Sequence, residues 1–198
     1  MKITIRKRTF IIIPLLAVLL FVIGQLVTRA NRSGSVARPP VDPVERIYEL
    51  DPARKMIGTR VDNFAFADLV SGKTVRLSEL ADKIVIFEGF SVGCPACAAG
   101  IEKYNQIYDK YAPRVQIVYL NLNPADTALD IFDIKTNYQG RDWIWVKNSP
   151  ELAAFLGRYK IVDNEMTYIL KNNEIVYADS LSAPIERIEN ALRQALAL

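Results

Sequence analysis

A buried strand that runs into a Cys-x-x-C motif and then into a helix is the feature that most constrains the fold of this chain. The apolar run that begins with Ile84–Phe87 is typical of a central strand covered on both faces, and Cys94 and Cys97 follow it. From Pro95, which suits a first helical turn, apolar residues recur every three or four positions. This helical stripe consists of Cys97, Ile101, Tyr104, Tyr108 and Tyr111. The two cysteines are therefore predicted to lie at a strand-to-helix junction.

The 198 residues contain two cysteines and no histidine, which narrows what the motif can do. A disulfide that closes so short a loop adds little stability. Structural zinc usually takes four ligands, and the chain has neither a second cysteine pair nor histidines. Thiol–disulfide exchange is therefore the favoured interpretation, and a soft-metal site or an inert structural pair are the alternatives.

The position of each cysteine predicts its role in such an exchange. The free N–H groups and the dipole at a helix N-terminus favour a thiolate, which is the nucleophile in disulfide exchange. Cys94 is therefore predicted to be the exposed, attacking thiol. Cys97 lies one turn into the helix and is predicted to be the more buried, resolving thiol that releases a mixed disulfide.

The other elements are predicted in the order strand, two helices, hairpin and helix, preceded by a short hairpin over residues 63–80. They cover residues 115–122, 125–138, 150–159, 166–178 and about 184 to the end of the chain. The second of the two helices begins with Ser149 as its N-cap and Pro150 as its first residue. This order predicts an α/β domain with a mixed central sheet and helices on both faces.

The N-terminal region contains one long uncharged apolar segment. Residues 10–28 approach the roughly 20 residues that a membrane-spanning helix needs. Slightly more positive charge precedes this segment than follows it, which favours a cytoplasmic N-terminus. We therefore predict a cytoplasmic segment over residues 1–9, a transmembrane anchor over 10–28, a linker over 29–46 and an exported domain over 47–198. A signal peptide cleaved near Ser35–Ala37 is the alternative.

The charge of the chain is distributed unevenly. The first 46 residues contain eight Lys and Arg against two acidic residues, and the whole chain has a net charge of +3. The remaining residues therefore carry a net charge of −3. A slightly acidic domain gives no support for nucleic-acid binding.

These features together resemble the TlpA/ResA-like group of membrane-anchored thiol–disulfide oxidoreductases. The resemblance rests on the anchor, the lead-in "NFAFADLVSGKTVRLSEL", the segment "KIVIFEGFSVGCPAC" and the terminal hairpin and helix, and covers nearly the whole chain from about residue 55. It implies a thioredoxin-like fold, no cofactor, and exported partner proteins that bear disulfides or thiols. It also implies a membrane electron donor that resets the disulfide, and substrates such as apocytochrome or copper-site thiols.

Glu88 is a carboxylate inside the predicted central strand, where a charge is expensive to bury. It stands six positions before Cys94, where thioredoxin-like proteins keep a buried acid beneath the disulfide. The resemblance implies that Glu88 accepts a proton from Cys97, which suits a carboxyl group with a raised pKa. The alternative is a glutamate at the strand end that reaches solvent or pairs with Lys83.

Two positions depart from the thioredoxin pattern. Gly93 stands where a tryptophan usually precedes the first cysteine, and Met166 stands where a cis-proline usually precedes a threonine, here Thr167. In the family, that proline presents backbone to the substrate and keeps metals away from the sulfurs. Gly93, Met166 and Thr167 are therefore predicted to line the substrate groove, and a methionine that only fills space is the alternative.

Met166 also raises a second functional hypothesis. Two thiolates and a thioether form a soft site suited to copper(I), so Cys94, Cys97 and Met166 could make the protein a metallochaperone that resembles the Sco proteins in outline. Sco proteins use a longer cysteine spacing and a histidine, which this chain lacks. A thiol peroxidase is the third hypothesis, but Phe87 and Ser91 stand where that family has proline and threonine.

Overall fold

The computed structural model describes residues 50–197, so the predicted anchor over 10–28 and linker over 29–46 lie outside the described residues. The strands are β1 Ala65–Ala67, β2 Thr74–Arg76, β3 Ile84–Phe90, β4 Val115–Asn121, β5 Ile144–Val146, β6 Thr167–Lys171 and β7 Glu174–Asp179. The α-helices are α1 Pro95–Tyr111, α2 Ala128–Asn137, α3 Pro150–Tyr159 and α4 Ile185–Ala197. Within residues 50–197, no helix has the length and apolar character needed to cross a membrane.

Five of the strands form one mixed sheet in the order β5-β4-β3-β6-β7. β3 runs parallel to β4, and β4 parallel to β5, whereas β6 and β7 are antiparallel to their neighbours. Strand β3 is central and all seven of its residues are buried. This arrangement confirms the predicted mixed sheet. Because β3 and β4 are parallel, the loop that follows β3 and the end of β4 lie at the same end of the sheet.

The two faces of the sheet have separate cores. The cysteine face, which carries Ile86 of β3, is covered by α1, α2 and α4 and includes Cys97. The methionine face, which carries Phe87 of β3, is covered by α3 and the β1–β2 region and includes Met166. Alternate residues of a strand point to opposite faces, so neighbours in β3 contribute to different cores.

The structure differs from the sequence prediction mainly in one strand. β5 was not predicted, because it has only three residues and lies at the edge of the five-stranded sheet, where β4 is its one neighbouring strand. Helix α2 is shorter than predicted because Thr127 caps it: its hydroxyl accepts from the backbone N–H of Asp130, and the Asp130 carboxylate accepts from the Thr127 N–H. The Ser149 cap of α3 is confirmed.

Candidate active site

Cys94 caps the N-terminus of helix α1. Its sulfur accepts a hydrogen bond of 3.0 Å from the backbone N–H of Cys97, and Pro95 occupies the first helical position, where no N–H is needed. The Cys94 residue is half-buried. In the reduced protein, the same N–H and the helix dipole would stabilise a thiolate at this position.

Cys97 is bonded to Cys94 in a disulfide, and its Cα lies 5.3 Å from that of Cys94. It is 1% exposed and belongs to the core of the cysteine face. Its backbone carbonyl accepts a hydrogen bond of 2.9 Å from the Tyr119 hydroxyl of β4. The pair is therefore asymmetric, because a partner can reach Cys94 while Cys97 is enclosed.

A buried carboxylate holds the loop before Cys94. Asp126 accepts hydrogen bonds from the backbone N–H of Val92 at 2.9 Å and from the side-chain amides of Asn121 and Asn123 at 2.7 and 2.6 Å. Asn121 ends β4, so the loop is fixed to the neighbouring strand. The sequence analysis missed Asp126. The signal that could have found it is a cluster of short polar residues directly after a buried strand.

The loop before β6 docks on the end of β3 through its backbone. The Glu165 N–H donates to the Gly89 carbonyl at 2.7 Å, and the Gly89 N–H donates to the Met166 carbonyl at 3.0 Å. A Cβ atom at position 89 would lie 2.8 Å from the Asp163 carbonyl, so this close approach requires glycine. Side chains add one further link, because the Asn164 amide donates to the Ser91 hydroxyl at 2.9 Å.

The side chains of Met166 and Thr167 point to opposite faces of the sheet. Met166 is buried in the core of the methionine face, so its thioether is not on the face that carries Cys97. Thr167 is fully buried and its hydroxyl contacts Glu88. Neither side chain therefore lies in an open groove, in contrast to the positions expected from the sequence. Among residues 50–197, Ala112–Pro113 has the one cis peptide bond, so the Glu165–Met166 bond is trans.

Glu88 points to the cysteine face, where one of its oxygen atoms and two hydroxyl oxygens form a triangle. Its Oε2 accepts hydrogen bonds from the Tyr104 hydroxyl at 2.6 Å and from the Thr167 hydroxyl at 2.7 Å. The two hydroxyl oxygens are themselves 2.8 Å apart. These contacts join β3, α1 and β6. Glu88 is 1% exposed, so it does not reach solvent in the way the alternative interpretation requires.

The surroundings of Glu88 shift its proton equilibrium. Burial raises the pKa of Glu88 from 4.5 to about 7, while the positive charge of Lys103 and the hydrogen bonds from Tyr104 and Thr167 act in the opposite direction. The negative charge of Glu165 adds a smaller increase. Burial and the charge of Glu88 raise the pKa of Tyr104 well above its usual value, so Tyr104 stays a hydrogen-bond donor. Glu88 can therefore gain or lose a proton near neutral pH.

A groove of about 380 Å³ opens beside Cys94, between the start of α1 and one side of α2. Its walls include Gly93, Cys94 and Pro95 on one side and Asp133, Ile134 and Tyr138 on the other. Gly93 lines this groove, and a Cβ atom there would meet nothing within 4 Å; that a substrate binds here stays a prediction. The groove is partly apolar and its charged lining residues are acidic, which suits a protein segment better than a small anion.

The described residues offer no ready metal centre. Within residues 50–197, no group of three or more His, Cys, Asp or Glu side chains is arranged to hold a metal ion. A copper site would have to use Cys94 and Cys97 after reduction of the disulfide. Met166 could join them only if its side chain left the core of the opposite face.

Comparison with protein-family models gave no match, and comparison with curated protein sequences also gave none. Solved structures do match. A thioredoxin-like protein from Aeropyrum pernix aligns with a TM-score of 0.58 at 15% identity, over 67% of this chain and 89% of that one. A thioredoxin-family thiol:disulfide interchange protein from Chlorobium tepidum aligns with a TM-score of 0.60 at 15% identity, over 70% and 97%.

BsSco, a member of the Sco family of cytochrome c oxidase assembly proteins, aligns with a TM-score of 0.57 at 16% identity, over 70% of this chain and 94% of that one. BsSco and the interchange protein share a fold and differ in the functions that their names record. At these identities the likeness concerns the backbone arrangement alone. The described residues have the thioredoxin-like fold, with the Cys94–Cys97 disulfide at the junction of its central strand and the helix that follows.

Proposed function

We propose that this protein is a thiol–disulfide oxidoreductase that reduces or exchanges disulfides in partner proteins through Cys94 and Cys97. The observation that carries this proposal is the asymmetry of the pair: Cys94 is half-buried at the helix start, and Cys97 is buried one turn later. An open groove beside the first sulfur gives a partner access to it. The likeness to a thiol:disulfide interchange protein from Chlorobium tepidum supports the same reaction class.

The reaction proceeds through two exchanges. In the reduced protein, the Cys94 thiolate attacks one sulfur of a partner disulfide, which forms a mixed disulfide and releases the other partner sulfur as a thiolate. Cys97 then loses its proton and attacks the Cys94 sulfur. This step forms the Cys94–Cys97 disulfide and releases the second partner thiolate. The partner gains two electrons, and the protein loses two.

Glu88 is the proposed acceptor of the Cys97 proton. A carboxyl group with a pKa of about 7 is part-ionised at neutral pH, so it can take a proton from one turnover and release it before the next. Cys97 and Glu88 lie on the same face of the sheet, on α1 and β3. The fast attack by Cys94 needs no such base, because the helix start stabilises its thiolate.

Serine variants of the two cysteines test the proposal. Cys97→Ser should accumulate a mixed disulfide between Cys94 and a peptide disulfide, because the resolving thiol is missing. Cys94→Ser should accumulate little, because its remaining thiol is buried. Mass spectrometry of the non-reduced products measures both. Equal trapping by the two variants would contradict the assigned roles, and no trapping by either would contradict the exchange activity.

The proposal includes the location and the partners predicted from the sequence. Residues 10–28 would anchor the chain once in the cell membrane, with the domain on the extracytoplasmic side, as the charge bias around that segment favours. Exported proteins with disulfides or thiols, for example apocytochromes, would be the partners. A membrane electron donor would supply the two electrons that reduce the Cys94–Cys97 disulfide again. Digestion of the domain by protease added to intact spheroplasts tests this topology.

Copper(I) binding is the second candidate, favoured by the shared fold with BsSco. The reduced protein would bind copper(I) through Cys94 and Cys97, and Met166 would be the third ligand once its side chain left the core of the methionine face. Met166→Leu tests the thioether, because leucine fills a similar volume without a sulfur. A reduced protein that holds one copper(I) per chain, loses it in Met166→Leu and shows no exchange activity would favour the metallochaperone function.

A further inference from the structure

The oxygen triangle around Glu88 is formed by three short contacts. All three oxygen–oxygen contacts, among Glu88 Oε2, the Tyr104 hydroxyl and the Thr167 hydroxyl, are 2.8 Å or shorter. When Glu88 is ionised, the triangle holds two protons, one on each hydroxyl, and both can be donated to Oε2. Both donations therefore reach a single carboxylate oxygen.

We propose that Tyr104 and Thr167 are positioning residues that fix Glu88 and set the pH at which it takes up and releases its proton. A hydrogen bond to a charged acceptor is stronger than one to the neutral form, so two donated bonds favour the carboxylate. This inference deepens the proposed function, on which its catalytic meaning rests. It adds two residues, one on α1 and one on β6, that tie the acid to a covering helix and to a neighbouring strand of β3.

Apart from Glu88 and each other, the two hydroxyls have no hydrogen-bond partner at a comparable distance among the described residues. The Thr167 hydroxyl lies 3.4 Å from the Glu165 carbonyl, well beyond its 2.7 Å contact with Glu88. The Tyr104 hydroxyl contacts Glu88 and Thr167. Deleting either hydroxyl therefore removes a hydrogen bond from the carboxylate, and no other donor among residues 50–197 bonds to Glu88 Oε2.

The other charged and titratable groups that act on Glu88 come from three elements. Lys103 of α1 favours the carboxylate, whereas Glu165 of the loop before β6 disfavours it. On β4, Tyr119 has a pKa raised well above its usual value by burial and by the charge of Glu88. These groups remain in the variants below. A change in the titration of Glu88 therefore reports the deleted hydroxyl.

The oxidised protein gives the clearest measurement, because its two sulfurs carry no titratable proton. The carboxyl carbon of Glu88, labelled with ¹³C and assigned with Glu88→Gln, can be followed by NMR from acid to alkaline pH. Tyr104→Phe should raise the midpoint by roughly one pH unit, and Thr167→Val by roughly half a unit or more. Thr167→Ser keeps the hydroxyl and should return the midpoint toward that of the wild type.

Tyr168→Phe is the matched control. Tyr168 is the next residue along β6, equally buried, and its hydroxyl donates to the Tyr159 carbonyl at 2.8 Å on the methionine face. Tyr168→Phe also loses one buried hydroxyl, from the same strand as Thr167 but on the opposite face, so the Glu88 midpoint should stay at the wild-type value. An unchanged midpoint in Tyr104→Phe and Thr167→Val, or an equal shift in Tyr168→Phe, would overturn the inference.

A second readout separates this inference from the proposed function. The rate at which the reduced protein releases a mixed disulfide should follow the same midpoint shift when measured against pH. A midpoint that moves by NMR while the release rate does not would support the positioning role and remove Glu88 from resolution. If Tyr104→Phe fails to fold, the Thr167→Val and Thr167→Ser pair decides the question alone.

Discussion

Two neighbouring residues of the central strand, Phe87 and Glu88, are each 1% exposed, but they point to opposite faces of the sheet and make different kinds of contact. Phe87 points to the methionine face and contacts the rings of Phe66 and Phe155 edge-on, at 5.5 and 5.8 Å. Glu88 points to the cysteine face and contacts hydroxyl groups. A strand buried on both sides can therefore place stability on one face and proton chemistry on the other.

The same division continues in the partner strand β6. Thr167, paired with Glu88, completes the oxygen triangle, while Tyr168, paired with Phe87, packs into the methionine face. Met166 follows this alternation and lies with Tyr168. Met166 shows that a position which the sequence pattern of a fold predicts to face the cysteines can have its side chain on the opposite side of the sheet.

The largest effect is expected from Phe87→Ala. Loss of a buried ring leaves a cavity, which should lower the free energy of unfolding by about 3–5 kcal/mol. Urea unfolding of the oxidised protein measures this. The pH dependence of exchange by the folded fraction should not change. A shifted pH profile would break the separation between the two faces, and Phe87→Leu, with a loss of about 1.5 kcal/mol or less, is the control for mere repacking.

The next largest effect is expected in the pH dependence of the free energy of unfolding, which Glu88→Gln should change. The folded pKa of about 7 exceeds the ordinary value of 4.5, so the folded state binds the proton more tightly. The resulting stability is full below pH 4.5 and is lost as the pH rises through 7, a loss of roughly 3 kcal/mol. Glu88→Gln should lack this loss. Urea unfolding at several pH values measures the difference, and parallel curves for the two proteins would contradict it.

Much of this organisation follows from the sequence, and the part that does not has identifiable reasons. The buried run into the cysteine helix, the hairpin around Asn172 and Asn173, and the Ser149 cap depend on local patterns, and the structure has them. Both asparagines have positive φ, of 51° and 64°, which suits a tight hairpin turn. Local pattern also marked Glu88, because a charge within an apolar run is rare.

The missed features depend on contacts between distant segments. Tyr104 was predicted as one of a helical stripe, but its hydroxyl partner on β6 is 63 residues away. Asp126 contacts Val92 across 34 residues. The side of the sheet that Met166 faces depends on the register in which β6 pairs with β3. The resemblance of the preceding loop to a known family does not determine that register. The short strand β5 exists because β4 offers it an edge.

A smaller effect tests how the cysteine loop is held. Asp126→Asn replaces one acceptor oxygen by a donor and should lower the free energy of unfolding by about 1–2 kcal/mol. It should also slow the attack of Cys94 on a peptide disulfide several-fold, because a single amide oxygen must hold the Val92 N–H and the two asparagine amides that two carboxylate oxygens hold in the wild type.

Ser149→Ala is the comparison for Asp126→Asn, since it removes the cap of α3 at a cost of about 1 kcal/mol and does not touch the loop. Stopped-flow measurement of mixed-disulfide formation in both variants separates loop position from general stability. Equal attack rates in the two variants would assign Asp126 to stability alone.

The smallest effect extends the comparison from the interior to the surface of the cysteine face. The groove beside Cys94 includes Asp130 and Asp133, and the hydrogen bonds from Thr127 hold the pKa of Asp130 below its usual value, so it is ionised at neutral pH. Peptide disulfides flanked by lysine should therefore react faster than those flanked by glutamate, by roughly two- to fivefold at low salt.

Asp133→Asn should reduce this preference, because it removes one charge from the groove wall and leaves the cap of α2 intact. Asp142→Asn is the matched control, since Asp142 is exposed and pairs with Lys135 outside the groove. Both variants should reduce the uncharged 2-hydroxyethyl disulfide at the wild-type rate. Two outcomes would contradict a groove contact: a lysine preference that survives in Asp133→Asn, or one that falls equally in Asp142→Asn. Either would show that the net charge of the domain selects its partners. Long-range attraction depends on the whole charge distribution, whereas a groove contact depends on one side chain.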